Sequence, residues 1–320
     1  MLGFWSYHIT HFATSLQMCS CRTFLSALQK NLLIHPENQL PVLLSLAFLF
    51  SSLFQKGVFI MKVTIIHGQS HKGSTYHIAH SLAEKLCQNT YNSYDIHNVN
   101  NSHNSNNTDI SNDTFSAENS ITEFFLPRDF DNYCVGCTQC FMQSEKKCPH
   151  YEKLAPITKA IDEADVIILE SPVYVYHVTG SMKAFLDHYG WRWLVHRPEE
   201  AMFTKQAVCI STAAGAGTKS TNKDMADSTF FWGVGKTYRY GIAIHSTSWN
   251  TVPQEKKEKI DKKLNRLAQK IIKKEGHVTP SFKTKAFFYL MHFAQRNGLN
   301  EADASYWQQK GWTKNVRPWK

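Results

Sequence analysis

Long apolar runs are scarce in this 320-residue chain. The longest, from Leu40 to Phe54, falls short of the roughly 20 residues that a spanning helix needs. It lies too far from the N-terminus for an ordinary secretory leader, with Pro36 and Glu37 before it. It is the only membrane candidate, and no anchor is expected. Nucleotide fingerprints are missing too: no Gly-Lys-Ser/Thr stands at a Walker A offset, and there is no GxGxxG. No zinc finger, RNA-binding motif or aromatic–basic interleaving points to nucleic acid. The eight Cys are not spread like a secreted disulfide framework, since four crowd into residues 134–148. That pattern fits a reducing compartment, and a cytoplasmic location is expected.

What is present begins at Met61. The run Lys62-Val63-Thr64-Ile65-Ile66-His67 is apolar and β-branched, as in a buried parallel strand. Gly68-Gln69-Ser70-His71-Lys72-Gly73-Ser74-Thr75 follows, and then Ile78, Ala79, Leu82, Ala83 and Leu86 recur at helical spacing. A helix over residues 74–87 would start with a hydroxyl cap from Ser74 or Thr75. A helix N-terminus at the carboxyl end of a strand is an anion site. The small residues, hydroxyls and two basic side chains suit one terminal phosphomonoester; the alternative is an ordinary loop leading into a capped helix.

Residues 1–60 lack the periodicity of a packed domain and are read as a non-core extension. Met61 opens the first strand directly, and Lys56-Gly57-Val58 can be encoded by a purine-rich ribosome-binding string. The expectation is that translation starts at Met61. Residues 98–119 are Asn- and Ser-rich and read as a surface insertion. A short edge strand is expected at 94–99, and another strand at 121–126, stopped by Pro127.

Cys134, Cys137 and Cys140 stand at a strict spacing of three, and Cys148-Pro149 follows. This is the spacing of a [4Fe–4S] ligand set, with zinc or plain thiols as alternatives. The sequence-level expectation is free thiols, because seven residues separate Cys140 from Cys148 and Lys146-Lys147 offers no apolar shielding. Strands are then expected at 165–170, 207–212 and 240–245, and helices from 157 to 164, after 181, over 225–240 and over 254–275. At the end of the strand over 165–170, Pro172-Val173-Tyr174-Val175-Tyr176-His177 forms an aromatic platform for a planar heterocycle. Thr212-Ala213-Ala214-Gly215 closes the strand over 207–212 with small residues. In the tail, a helix is expected over 284–296, ended by Asn297-Gly298, with Asn300 capping another turn. Trp307, Trp312 and Trp319 need burial there, so the tail should dock on the domain or on a partner subunit.

The pattern Gly68…Lys72-Gly73-Ser74-Thr75, the stretch Ser171-Pro172-Val173-Tyr174…Gly180-Ser181-Met182-Lys183-Ala184-Phe185-Leu186-Asp187 and the Cys cluster resemble the flavodoxin-like NAD(P)H-dependent FMN reductases, iron–sulfur flavoproteins included. The resemblance covers about residues 61–275, leaving 276–320 as a helical, Trp-containing tail. It implies a doubly wound α/β fold with five parallel strands and helices on both faces. It also implies FMN held at the phosphate by Gln69, Ser70, His71, Lys72, Gly73, Ser74 and Thr75. Pro172, Val173, Tyr174, Val175, Tyr176 and His177 would contact the ring, flanked by Thr212, Ala213, Ala214 and Gly215. His71 stands where the family commonly has Arg.

The activity so implied is hydride transfer from NAD(P)H to FMN and on to a quinone, free flavin or other small acceptor. His177 is the one titratable side chain in the ring loop and the candidate proton donor. The alternatives are an iron–sulfur flavoprotein acting as electron carrier and a flavin-free binding protein of the same fold. No nucleic acid partner is expected; a homodimer or higher homo-oligomer is. Residues 251–320 hold 16 Lys/Arg and 6 Asp/Glu, a net of +10 against +9 for the whole chain. That basicity reads as a solvated helix face, or as attraction for nucleotide phosphates or an acidic partner.

Overall fold

The computed structural model describes residues 61–99, 121–298 and 300–320. Residues 1–60, with the run from Leu40 to Phe54, lie outside the described residues, as does the expected insertion from residue 100 on. Five parallel strands form one sheet: β1 (Val63–His67), β2 (Ile121–Phe125), β3 (Val166–Pro172), β4 (Gln206–Ala213) and β5 (Lys236–Ala243), in the order β2-β1-β3-β4-β5. This is the flavodoxin-like order, with its switch point between β1 and β3. The register pairs Val63 with Val166 and His67 with Glu170, so β1 and β3 start together and β3 runs two residues further, to Pro172.

The period of two along a strand sorts the core into two layers. Ile66, Ile167, Leu169, Ala207 and Cys209 face one side. They meet Leu154, Ile157 and Ile161 of α2 (Tyr151–Glu163), Met182 and Phe185 of α3 (Gly180–Asp187), and Met225 of α4 (Thr218–Phe231). Val63, Ile65, Val166, Ile168, Val208 and Ile210 face the other. They meet Ile78, Leu82 and Leu86 of α1 (Ser74–Val99), and Ile260, Leu264 and Ile271 of α5 (Gln254–Ile272). Each of these Val, Leu, Ile, Met and Phe side chains contributes about 1.5–3 kcal/mol by leaving water.

Three boundaries differ from expectation. Residues 94–99 are the end of α1 rather than an edge strand: the apolar pattern fades after Leu86, yet no Gly or Pro interrupts the helix before Val99. The helix expected over 225–240 runs instead from Thr218 to Phe231. Gly233 at φ 84° ends it, and Gly235 passes so close to the Phe203 carbonyl that a Cβ there would stand 2.4 Å from its oxygen. The last strand therefore starts at Lys236, not Tyr240. As an edge strand it alternates polar and apolar residues and lacks the apolar run that marks β1, β3 and β4.

In the tail, α6 (Phe282–Asn297) is capped by Ser281 and α7 (Glu301–Gln309) by Asn300, whose side chain accepts from Asp303 N at 2.8 Å. Trp307 and Trp312 are fully buried with Phe288 against Leu194 and Phe203. The Trp-rich tail thus docks on its own domain.

Candidate functional site

Loops at the carboxyl ends of β1, β3 and β4 are tied to one another. Gly68 N donates to Glu170 O at 2.7 Å, and Thr179 Oγ1 donates to Gly68 O at 2.5 Å. Val173 N donates to Thr212 O at 2.8 Å. Thr75 and Thr212 share a buried hydroxyl pair at 2.6 Å. The Tyr174 hydroxyl donates to Gln69 Oε1, which joins the first loop to the β3 loop.

Within the first loop, α1 opens on Ser74, and its first helical bond is His77 N to Gly73 O at 3.1 Å. The backbone donors of Ser74, Thr75 and Tyr76 precede that bond and point out of the helix start. Among the described residues the Ser74 hydroxyl has no partner. The other two hydroxyls are committed: Thr75 to Thr212, and Ser70 to Leu126 O at 3.1 Å. His71 lies over Gly73, where a Cβ would come within 2.7 Å of Nε2, and it bonds Gln69 Nε2. Lys72 stands 5.0 Å from the Tyr76 ring centroid.

The β3 loop is a tight exposed turn. Tyr174 and His177 exchange backbone hydrogen bonds at 3.0 Å each. Between them Val175 and Tyr176 have φ of 49° and 67°, the geometry of a type I′ turn that normally takes Asn-Gly. A β-branched residue with φ above zero is an outlier held by its surroundings. Part of what holds it is Gly217 at φ 101°: a Cβ there would meet Val173 Cγ1 at 2.6 Å. Ser220 also donates to Tyr176 O. Val175 is 92% exposed and Tyr176 63%, so neither belongs to the core. His177 is exposed and bonds Asp224 Oδ2 at 3.0 Å. Pro172 and Val173 are half-buried, Thr212 and Ala213 are buried, and Ala214 and Gly215 are exposed.

Beneath the first loop lies a trio not expected from sequence. His67 is fully buried at the end of β1, with Nδ1 2.8 Å from Glu170 Oε1 and Nε2 3.0 Å from Glu123 Oε1. Its ring stacks on Phe125 at 4.3 Å. Burial pushes His67 down, but the two carboxylates outweigh it and raise its pKa above the ordinary 6.5. Burial holds Glu170 above the usual carboxylate range, despite its bond to His67. Burial also acts upward on the half-buried Glu123, yet the His67 bond and charge bring it below. The visible signal was Glu170, a carboxylate ending an otherwise apolar run.

The cysteine loop gathers its four thiols. Gly136 at φ 66° and Thr138 at φ 57° turn the chain back on itself. Cys134, Cys137, Cys140 and Cys148 then line one pocket with Phe141, His150 and His188. Burial, then the neighbouring Cys148, Cys134 and Cys137, push the Cys140 thiol up to about 11. His150 Nδ1 lies 2.9 Å from His188 Nε2, and His188 Nδ1 donates to Ala184 O at 2.7 Å. These two His were not expected from sequence, which offers no signal bringing residue 188 to residue 150. Both FMN at the β1–β3–β4 loops and a thiolate-ligated centre at the cysteines fit the donors present. The first has a helix N-terminus with a free hydroxyl beside an exposed aromatic turn, and the second has four sulfurs at one pocket.

A sequence profile described as NADPH-dependent FMN reductase matches residues 61–240. The chain is 28% identical to an iron–sulfur flavoprotein of Archaeoglobus fulgidus over 189 residues, covering 56% of this chain and 79% of that one. It is 42% identical to an iron–sulfur flavoprotein of Methanocaldococcus jannaschii over 73 residues, 22% of this chain and 37% of that one. An FMN-dependent NADH-azoreductase from Bacillus anthracis, solved with FMN, is similar at 12% identity and a TM-score of 0.40, covering 65% of this chain and 99% of that one.

Proposed function

Because the chain belongs to the NADPH-dependent FMN reductase family, we propose that it passes reducing equivalents from NAD(P)H through bound FMN to a small acceptor such as a quinone or free flavin. The observation that carries this reading is the bonding of three strand-end loops around one helix start. Bound FMN would supply the redox chemistry, hydride acceptance and electron release. The chain's part is to bind and orient. The free backbone donors of α1 and the Ser74 hydroxyl hold the phosphate. Gln69, Gly73 and Thr75 fix that loop, and the exposed His71 and Lys72 draw the dianion in. Thr75 acts through its bond to Thr212, which joins the phosphate and ring loops, rather than by donating its hydroxyl. The Pro172–His177 turn presents Tyr174 and Tyr176 to the ring, with Ala213, Ala214 and Gly215 leaving room beside it. His177, oriented by Asp224, is the residue placed to move a proton to the acceptor.

A second reading is favoured by the gathered thiols and by the names of the two flavoprotein relatives. In it, Cys134, Cys137, Cys140 and Cys148 hold a [4Fe–4S] cluster and the protein carries electrons between cluster and flavin. It stands against the free-thiol expectation, which rested on the seven residues between Cys140 and Cys148 and on the unshielded Lys146-Lys147; in its favour, all four cysteines line one pocket. A cytoplasmic location and a homodimer or higher homo-oligomer belong to the same proposal. A further part of it is that the flavodoxin-like domain comprises 61–275, with residues 1–60 a non-core extension of the sequence. Among the described residues no helix is long and apolar enough to cross a membrane.

The test is a visible spectrum of purified protein followed by oxidation of NADH and NADPH with a panel of acceptors. Flavin bands with turnover support the first reading, and added broad absorption supports the second. A colourless protein that FMN cannot reconstitute overturns both.

A further inference from the structure

Helix α6 has two apolar faces. Its inner face, with Phe288 buried, docks on the domain. Its outer face carries Phe282, Tyr289, Leu290 and Phe293, exposed by 87%, 48%, 58% and 65%. These positions recur at helical spacing, so they form one stripe along the side opposite the buried face. A stripe of this kind on a water-soluble protein marks a surface that meets something apolar.

The charges beside the stripe have one sign. Lys283, Lys285 and Arg296 are the charged residues of α6, and no Asp or Glu lies in it. Lys283 falls on one flank of the stripe, and Lys285 and Arg296 fall on the other. Arg317 from the chain end stacks over Tyr289 at 5.1 Å and so adds a further cation to the same face. A second copy of the chain is a poor occupant, because a two-fold contact would bring these cations against their own copies. An aromatic and leucine stripe bordered by Lys and Arg is the composition of a helix lying in the interface of an anionic bilayer. We propose that the outer face of α6 docks the protein on the surface of an anionic lipid membrane, without spanning it.

This inference does not depend on the redox reading, and its test does not use activity. The full chain is sedimented with vesicles of phosphatidylserine and phosphatidylcholine in equal parts, and with vesicles of phosphatidylcholine alone. Binding should be at least about tenfold tighter to the anionic vesicles. It should weaken as salt shortens the screening length. Leu290→Glu with Phe293→Ser, and separately Lys283→Glu with Arg296→Glu, should each weaken binding by at least about tenfold. All four residues are exposed, so the thermal midpoint serves as the check on folding. Lys262→Glu with Lys263→Glu on α5 makes an equal charge change elsewhere and should leave binding within about twofold. Absence of binding to anionic vesicles overturns the proposal, as does equal binding to both compositions. Unchanged binding by the α6 variants overturns it too, and moves the contact to another segment, the run from Leu40 to Phe54 included. Self-association abolished by Leu290→Glu would assign the face to a second copy and overturn it as well.

Discussion

Asp303 holds Arg197 against the cysteine loop. Asp303 is fully buried at the start of α7 and takes hydrogen bonds from Arg197, from Asn300 and, at 2.7 Å, from His196. The same guanidinium donates to the carbonyl of Cys140 and, at 3.1 Å, to that of Phe141. One carboxylate in the tail therefore fixes the backbone that carries the third thiol.

Removing that carboxylate leaves a buried guanidinium without its counter-charge. Asp303→Ala should lower stability by on the order of 3–5 kcal/mol, read as a shift in the urea-unfolding midpoint. A loss below about 1 kcal/mol would mean that the pair is effectively solvated.

At the phosphate loop the two hydroxyls next to each other should behave differently. Ser74→Ala removes a donor to a charged group, worth about 1.5–3 kcal/mol. FMN affinity should fall about tenfold or more while riboflavin affinity holds. Thr75→Val instead breaks the buried pair with Thr212 and should reduce stability, with FMN and riboflavin weakened alike. Fluorescence titration with the two flavins separates the cases, and equal losses for Ser74→Ala would make the loop structural only.

For the thiols, protein purified without oxygen and fed iron should hold about four iron atoms per chain. Cys140→Ser should lose the iron and keep the flavin, since the two sets of residues do not overlap. Iron-free protein with four thiols reactive in the native state would return the loop to plain cysteines.

The buried trio sets a pH window. A raised His67 pKa means that its stabilisation is full below the ordinary 6.5 and is lost as pH climbs through the higher folded value. The lowered Glu123 contributes above its ordinary 4.5 and loses that contribution as pH falls through the folded value. The contribution of the His67–Glu123 pair is thus fully present between 4.5 and 6.5, while the raised Glu170 works against stability above its ordinary 4.5. An NMR titration of the His67 ring should give a midpoint above 6.5, moving down in Glu123→Gln. A midpoint at or below 6.5 in the unaltered protein would refute the assignment.

What could be read from sequence follows from what each element hides from water. β1, β3 and β4 are buried on both faces and print as apolar runs, so they stood out. β5 is an edge strand, and its Lys236-Thr237-Tyr238-Arg239 start looks like a loop. The candidate loops were visible because Gly, Ser and aromatic residues cluster where strands end. The His67–Glu123–Glu170 trio was not, because its members lie 56 and 103 residues apart and only strand register unites them. Likewise the partner of Thr75 could not be foreseen, since the bond spans 137 residues.

The pairing of Val63 with Val166 also governs how the chain reaches its fold. During synthesis β1 leaves the ribosome about a hundred residues before its central neighbour exists. The innermost hydrogen bonds of the sheet therefore close late and over a long loop, which slows folding relative to a chain of local contacts. Until then the β3-facing edge of β1 is an unpaired apolar strand, open to the wrong partner. Slower translation between residues 67 and 166 lengthens that exposure, and yield in the cell should respond to codon choice there more than in the tail.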